Sequence, residues 1–117
     1  MKCGKYLAVD PICAAFKGKV VHAVQVNGNL LYGQLDANAP RWVVDAFVRG
    51  KSGGVGLVLL EQGHGIRSKL KIYRDSNLMS VALGDWLVYC DGDIAKAYPD
   101  TFLETYTPVA KVAKEIK

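Results

Sequence analysis

Residues 38–54, NAPRWVVDAFVRGKSGG, are the one stretch long and periodic enough to predict an extended helix, and this limits the fold to a sheet carrying a single large helix. Pro40 stands at its start, Trp42, Val43, Ala46 and Phe47 fall on one face, and Gly50 is expected just past the last turn. Arg41, Asp45 and Arg49 recur every fourth residue on the opposite face, the pattern of a solvated stripe.

Nearly everything else reads as short strands. KVVHAVQV (19–26) alternates Val20, His22, Val24 and Val26 with Val21, Ala23 and Gln25. The NGN at 27–29 predicts a hairpin turn, since Asn and Gly tolerate positive φ, with LLYGQL (30–35) as the partner strand. VGLVLLEQ (55–62) predicts a buried strand between the flexible KSGG (51–54) and GHG (63–65). RSKLKIYR (67–74) sets Arg67, Lys69, Lys71 and Tyr73 on one face of a strand and Ser68, Leu70, Ile72 and Arg74 on the other. DSN (75–77) turns the chain, and LMSVAL (78–83) and WLVYC (86–90) read as two more strands around Gly84 and Asp85. Thr101 and Glu104 have the spacing of a capping box, so 99–106 is expected to form one or two helical turns stopped by Pro108. Residues 109–117 form a charged tail, a final edge strand or a frayed helix end.

The expected fold is therefore α+β, with about five to seven strands in a strongly bent, mostly antiparallel sheet. The favoured architecture is a partly closed barrel with the helix of the 40s plugging one side; the alternative is an open sheet with that helix on one face. With 117 residues, half of them apolar, the chain suits a single domain that needs no stapling metal or disulfide. No apolar run is long enough for a membrane-spanning helix, and Gly4, Asp10, Pro11 and Lys17 break up the N-terminal apolar pieces, which argues against a signal peptide. Cys3, Cys13 and Cys90 are an odd set without metal-ligand spacing, as expected for reduced thiols. At Cys90 the adjacent Asp91 disfavours the thiolate that a nucleophile needs.

No nucleophile elbow, P-loop, zinc-protease helix or dinucleotide-binding glycine pattern is present, so a non-enzymatic protein without metal or cofactor is expected. His22 lies within a valine-rich strand and is expected to be a packed or half-exposed ring, not a base. Asp85, Asp91, Asp93, Asp100 and Glu104 cluster in sequence, but beside glycine turns and a helix start their chemistry is that of turns and caps. Trp42 and Trp86 fall on apolar faces and read as core anchors. The candidate ligand-binding set is His64, on a glycine-flanked turn, with Arg67, Lys69, Lys71, Tyr73 and Arg74, because guanidinium, ammonium and aromatic groups together suit phosphates and bases. The alternative for the same strand is a solubilising sheet face. A net charge of +4 also favours anionic partners.

Two segments, FKGKVVHAVQV (16–26) and LGDWLVYCDGDIAKAYPDTFLETYTPV (83–109), carry a resemblance. Together they resemble the small tailed-phage and prophage proteins of the PGDYG type. These pair an early KKPVVVEAVQ-like strand with a closing PGDYIIxGVKGExYPCKPDIFxxTYEPV-like segment. Gly84, Asp85, Gly92, Pro99, Asp100, Phe102, Thr105, Tyr106, Pro108 and Val109 carry the likeness. The chain departs from it at Leu83, in place of the first proline, and at Ala95, Lys96 and Ala97, in place of Tyr-Pro-Cys; residues 30–80 are unmatched. The resemblance implies a phage-encoded accessory protein acting in the cytoplasm of an infected bacterium, and it implies no catalytic residue. By analogy with small phage proteins, the expected role is counter-defence by a homo-oligomer that sequesters an anionic, cyclic-nucleotide immune signal. The rival expectations are an inhibitor that caps a host immune or metabolic enzyme and a nucleic-acid-binding accessory protein.

Overall fold

The computed structural model describes residues 3–11, 14–35, 37, 39–60, 69–74 and 76–109. In chain order the elements are β1 (Cys3–Ala8), a 3₁₀ turn (Ala14–Phe16), β2 (Val20–Gln25), α1 (Gly28–Leu31) and α2 (Arg41–Lys51). Then follow β3 (Gly56–Leu60), β4 (Lys69–Arg74), β5 (Asn77–Ser80), β6 (Trp86–Cys90), β7 (Asp93–Ala97), α3 (Phe102–Thr105) and β8 (Tyr106–Pro108). The α+β class holds, and each strand pairing is antiparallel.

The strands form two open sheets, one of five strands in the order β7-β6-β2-β1-β8 and one of three in the order β3-β4-β5. The partly closed barrel is thereby corrected. Closure would require the edge strands β7 and β8 to pair with each other, but they lie at opposite ends of the five-stranded order. After β2 the chain leaves that sheet through α1 and α2 and builds a separate meander before β6 returns to pair with β2.

The hairpin expected at 27–35 is also absent. Asn27 is extended at φ −100° and ψ 178°, and its side chain accepts a hydrogen bond from the Leu30 amide, so it caps α1 instead of turning a hairpin. Residues 30–35 have no strand to join, since both edges of β2 are taken by β1 and β6. The partner the pattern could not reveal is β1, whose Cys3, Lys5 and Leu7 register opposite Val24, His22 and Val20. LMSVAL and WLVYC fall in different sheets, with β5 ending at Ser80.

Strand alternation in the five-stranded sheet feeds two apolar cores. On one face Val21, Ala23, Trp86, Val88, Cys90, Ala95 and Ala97 meet Phe16 and Phe102 from the flanking turns. Trp86 stacks on Phe102 with centroids 4.0 Å apart, and Tyr6 meets Phe102 edge-on at 4.8 Å. On the other face Val24, Leu87 and Ile94 meet Leu57, Leu70 and Ile72 of the smaller sheet and Val43 and Ala46 of α2.

α2 matches its expected apolar face, but Gly50 lies inside the helix, which continues to Lys51. Close packing explains that glycine: a Cβ there would come within 2.2 Å of the Leu57 carbonyl oxygen, and one at Gly56 within 2.2 Å of the Ala46 oxygen. The polar stripe is only partly as expected. Arg41 and Asp45 form an exposed pair at 3.1 Å. Arg49 turns inward, its Nε donating to Val55 O at 3.2 Å and its guanidinium lying 5.6 Å from the centre of the Tyr89 ring.

At the C-terminal end, α3 begins one residue after Thr101, but no capping box forms. Thr101 sits in helical backbone geometry with no side-chain cap bond. The turn is instead tied by Thr105 Oγ1, which donates to Thr101 O at 3.0 Å and to Phe102 O at 3.2 Å. The tail from 110 onward lies outside the described residues.

Candidate functional site: the basic face around Ser80

The expected ligand-binding set divides into three parts. His64 and Arg67 lie outside the described residues, and Lys69 is described only as a backbone position in β4. Arg74 is on the opposite strand face from Lys71, where its Nη2 donates to Asp93 Oδ2 at 2.8 Å. Its charge is thus answered within the fold, and it clasps the small sheet to β7. The remaining pair, Lys71 and Tyr73, is half-buried on the outward face of the small sheet.

That face follows from alternation. Leu70 and Ile72 are fully buried against the large sheet, so Lys71 and Tyr73 must point away from it. Across the ladder Lys71 registers opposite Val58 on one side and Ser80 on the other, and Tyr73 opposite Gly56 and Leu78. Lys71 Nζ donates to Ser80 Oγ at 2.9 Å.

A second lysine arrives from the other sheet. Lys96 of β7 donates to Ser80 O at 3.2 Å and lies 5.0 Å from the centre of the Tyr98 ring. Two ammonium groups, one from each sheet, therefore converge on one exposed serine at the end of β5. Among the described residues, neither has a carboxylate within ion-pairing distance, in contrast to Lys19, which pairs with Asp91 at 3.3 Å, and to Arg41 and Arg74. Such a pair can bind an oxyanion by charge and by the four N–H donors left after each ammonium has bonded Ser80, with the Ser80 hydroxyl beside Lys71.

Sequence reasoning missed Lys96. It stands in the Ile-Ala-Lys-Ala stretch with no basic neighbour, and only the pairing of β7 with β6 and the packing of the two sheets bring it to Ser80.

The acidic cluster is structural in the described contacts. Asp85 is 6% exposed, and its Oδ2 accepts from the Ala82 amide at 3.0 Å. Asp91 occupies a left-handed turn position at φ 50°. Asp93 accepts from Ile94 N at 2.9 Å as well as holding Arg74. Among the described residues, no group of three or more potential metal ligands occurs.

Cys90 is buried; burial first, then Asp91 by its charge and hydrogen bond, pushes the thiol above its ordinary range, which suppresses nucleophilicity. Cys3, the first residue of β1, is exposed. His22 is half-buried beside Tyr89 at 6.3 Å between ring centres. Trp42 stacks on the same Tyr89 at 5.3 Å, so both tryptophans anchor packing.

Among the described residues, no helix is long and apolar enough to cross a membrane. No protein-family profile, curated protein or solved structure matches the chain.

Proposed function

We propose that the protein is a non-enzymatic binder of an anionic ligand of the nucleotide class, held at Lys71 and Lys96. The observation that carries this reading is the convergence of two ammonium groups on Ser80 with no carboxylate within ion-pairing distance among the described residues, while the neighbouring Arg74 is paired with Asp93. Tyr73 and Tyr98 flank the pair and offer ring faces to a base or sugar. The phage resemblance of 16–26 and 83–109 gives the setting: counter-defence in the cytoplasm of an infected bacterium, by a homo-oligomer that sequesters a cyclic-nucleotide immune signal.

The test is thermal melting of the whole chain against a panel of cyclic mononucleotides and dinucleotides. A bound ligand at 100 times its Kd raises stability by about 2.7 kcal/mol, a readily measured shift in Tm. The shift is expected to vanish in Lys71→Gln/Lys96→Gln, and a panel without any stabiliser removes this reading. Light scattering on the same samples measures the oligomeric state.

A second reading, capture of a host protein, is favoured by a separate observation. Leu83 is 64% exposed and Tyr98 52%, and the residues that follow them approach each other, the Pro99 ring lying 4.0 Å from a Cβ built on Gly84. An exposed apolar knob next to Lys96 suits a protein partner. A single stoichiometric partner retained from host lysate by wild type and lost in Leu83→Asp/Tyr98→Asp supports it. Nucleic-acid binding through the basic strand predicts instead an affinity that falls steeply with salt.

A further inference from the structure

A cavity of about 280 Å³ opens between the C-terminal half of α2 and β3, lined by Phe47, Lys51, Leu57, Val58 and Leu59. Four of these residues are apolar and the fifth carries an ammonium group. Its walls depend on the close approach of helix and strand, since Gly50 leaves room for the Leu57 carbonyl and for Val58 Cγ1, which a Cβ at that position would meet at 2.2 and 2.9 Å.

Val58 is shared between this cavity and the basic face. It registers opposite Lys71, which registers opposite Ser80, the residue that also accepts from Lys96. Neighbouring strands are about 4.8 Å apart, so a row of about 10 Å leads from the cavity wall to the two ammonium groups. The surface thus has an apolar recess at one end and, at the other, a cationic pair with no ion-paired carboxylate among the described residues.

We infer that the recess takes the planar, weakly polar body of the ligand, a nucleobase, while Lys71 and Lys96 hold its phosphate. This rests on the anion-binding reading above and adds the part of the ligand that the lysines do not recognise. Size supports a single base: ligand pockets commonly span about 300–1,000 Å³, and this one, at about 280 Å³, falls just below that range, enough for one ring system and not for a whole dinucleotide. Phe47 supplies an aromatic wall, and Lys51 supplies a donor for the ring nitrogens or carbonyls of a base. Neither half suffices alone, because a nucleoside leaves the lysines unanswered and inorganic phosphate leaves the recess empty.

The experiment is calorimetric titration of the full chain with 3′,5′-cyclic AMP, adenosine and inorganic phosphate. Cyclic AMP is expected to bind at least tenfold more tightly than either fragment. Val58→Trp, which fills the recess, weakens cyclic AMP and adenosine about tenfold and leaves phosphate unchanged. Leu59→Trp does the same from a residue that is 40% exposed, and so stands if Val58→Trp fails to fold. Lys71→Gln/Lys96→Gln weakens cyclic AMP and phosphate and leaves adenosine unchanged. Folded recess variants that bind cyclic AMP like wild type overturn the nucleobase assignment while the anion reading stands. A lysine variant that binds phosphate like wild type overturns the anion reading and this inference with it. Cyclic AMP binding no tighter than phosphate overturns the nucleobase assignment alone.

Discussion

Asp85 is 6% exposed, and its carboxylate accepts the Ala82 amide in the turn that leads into β6. Asp85→Ala removes that charge-assisted hydrogen bond and is expected to cost about 1.5–3 kcal/mol in urea unfolding, whereas Asp85→Asn should keep part of that stability because its amide oxygen still accepts. Cys90 allows a test of direction with pH. Its thiol is raised in the folded state by burial and by Asp91, so the unfolded chain loses that proton first as pH rises. The contribution to stability is then full below the unfolded thiol range and declines as pH climbs through it toward the folded value. Melting followed from pH 7 to 10 should show a fall in wild type that is reduced in Cys90→Ser. Under native conditions a maleimide should label exposed Cys3 well before Cys90. At this scale the sequence was informative wherever chemistry is local. Asp85 beside a glycine turn and Cys90 beside a carboxylate could be read from their neighbours, whereas the inward turn of Arg49 onto Tyr89 could not, because Tyr89 is forty residues away.

Gly50 is the clearest case at the level of elements. Helix propensity alone says that Gly→Ala in α2 should stabilise by about 1 kcal/mol, but the added methyl would meet the Leu57 carbonyl oxygen at 2.2 Å. Gly50→Ala is therefore expected to destabilise by about 1–3 kcal/mol, measurable as a lower urea midpoint at unchanged slope. The helix was legible because its period is strong over residues 41–51, yet its last glycine was read as a stop when it is a contact surface. The Asn-Gly at 27–28 shows the complementary failure. That dipeptide serves a hairpin or a helix cap equally well, and what decides between them is whether a strand edge is free, which for β2 it is not. The T-x-x-E spacing at 101–104 met the same limit, since Thr101 entered helical geometry and left the capping to Thr105.

In the molecule as a whole, two open sheets are joined by a shared apolar layer and by the Arg74–Asp93 pair, whose side chains are 29% and 30% exposed. A pair that wet is worth about 1 kcal/mol at most after solvent screening, so a double-mutant cycle with Arg74→Met and Asp93→Asn should give a coupling of that size that shrinks in high salt. Larger coupling would mean that the clasp sets the angle between the sheets. By itself the sequence determined the α+β class, the long helix, the alternating strands and the turn chemistry of the acidic cluster. All of these depend on periods and neighbours within a few residues, which the chain carries in its order. Tertiary structure alone decided that the sheets stay open, that β1 and not residues 30–35 pairs with β2, and that Lys96 joins Lys71 at Ser80. Those outcomes turn on which strand edges find partners and on how two sheets stack, and the free energy of such contacts exists only once distant segments have met.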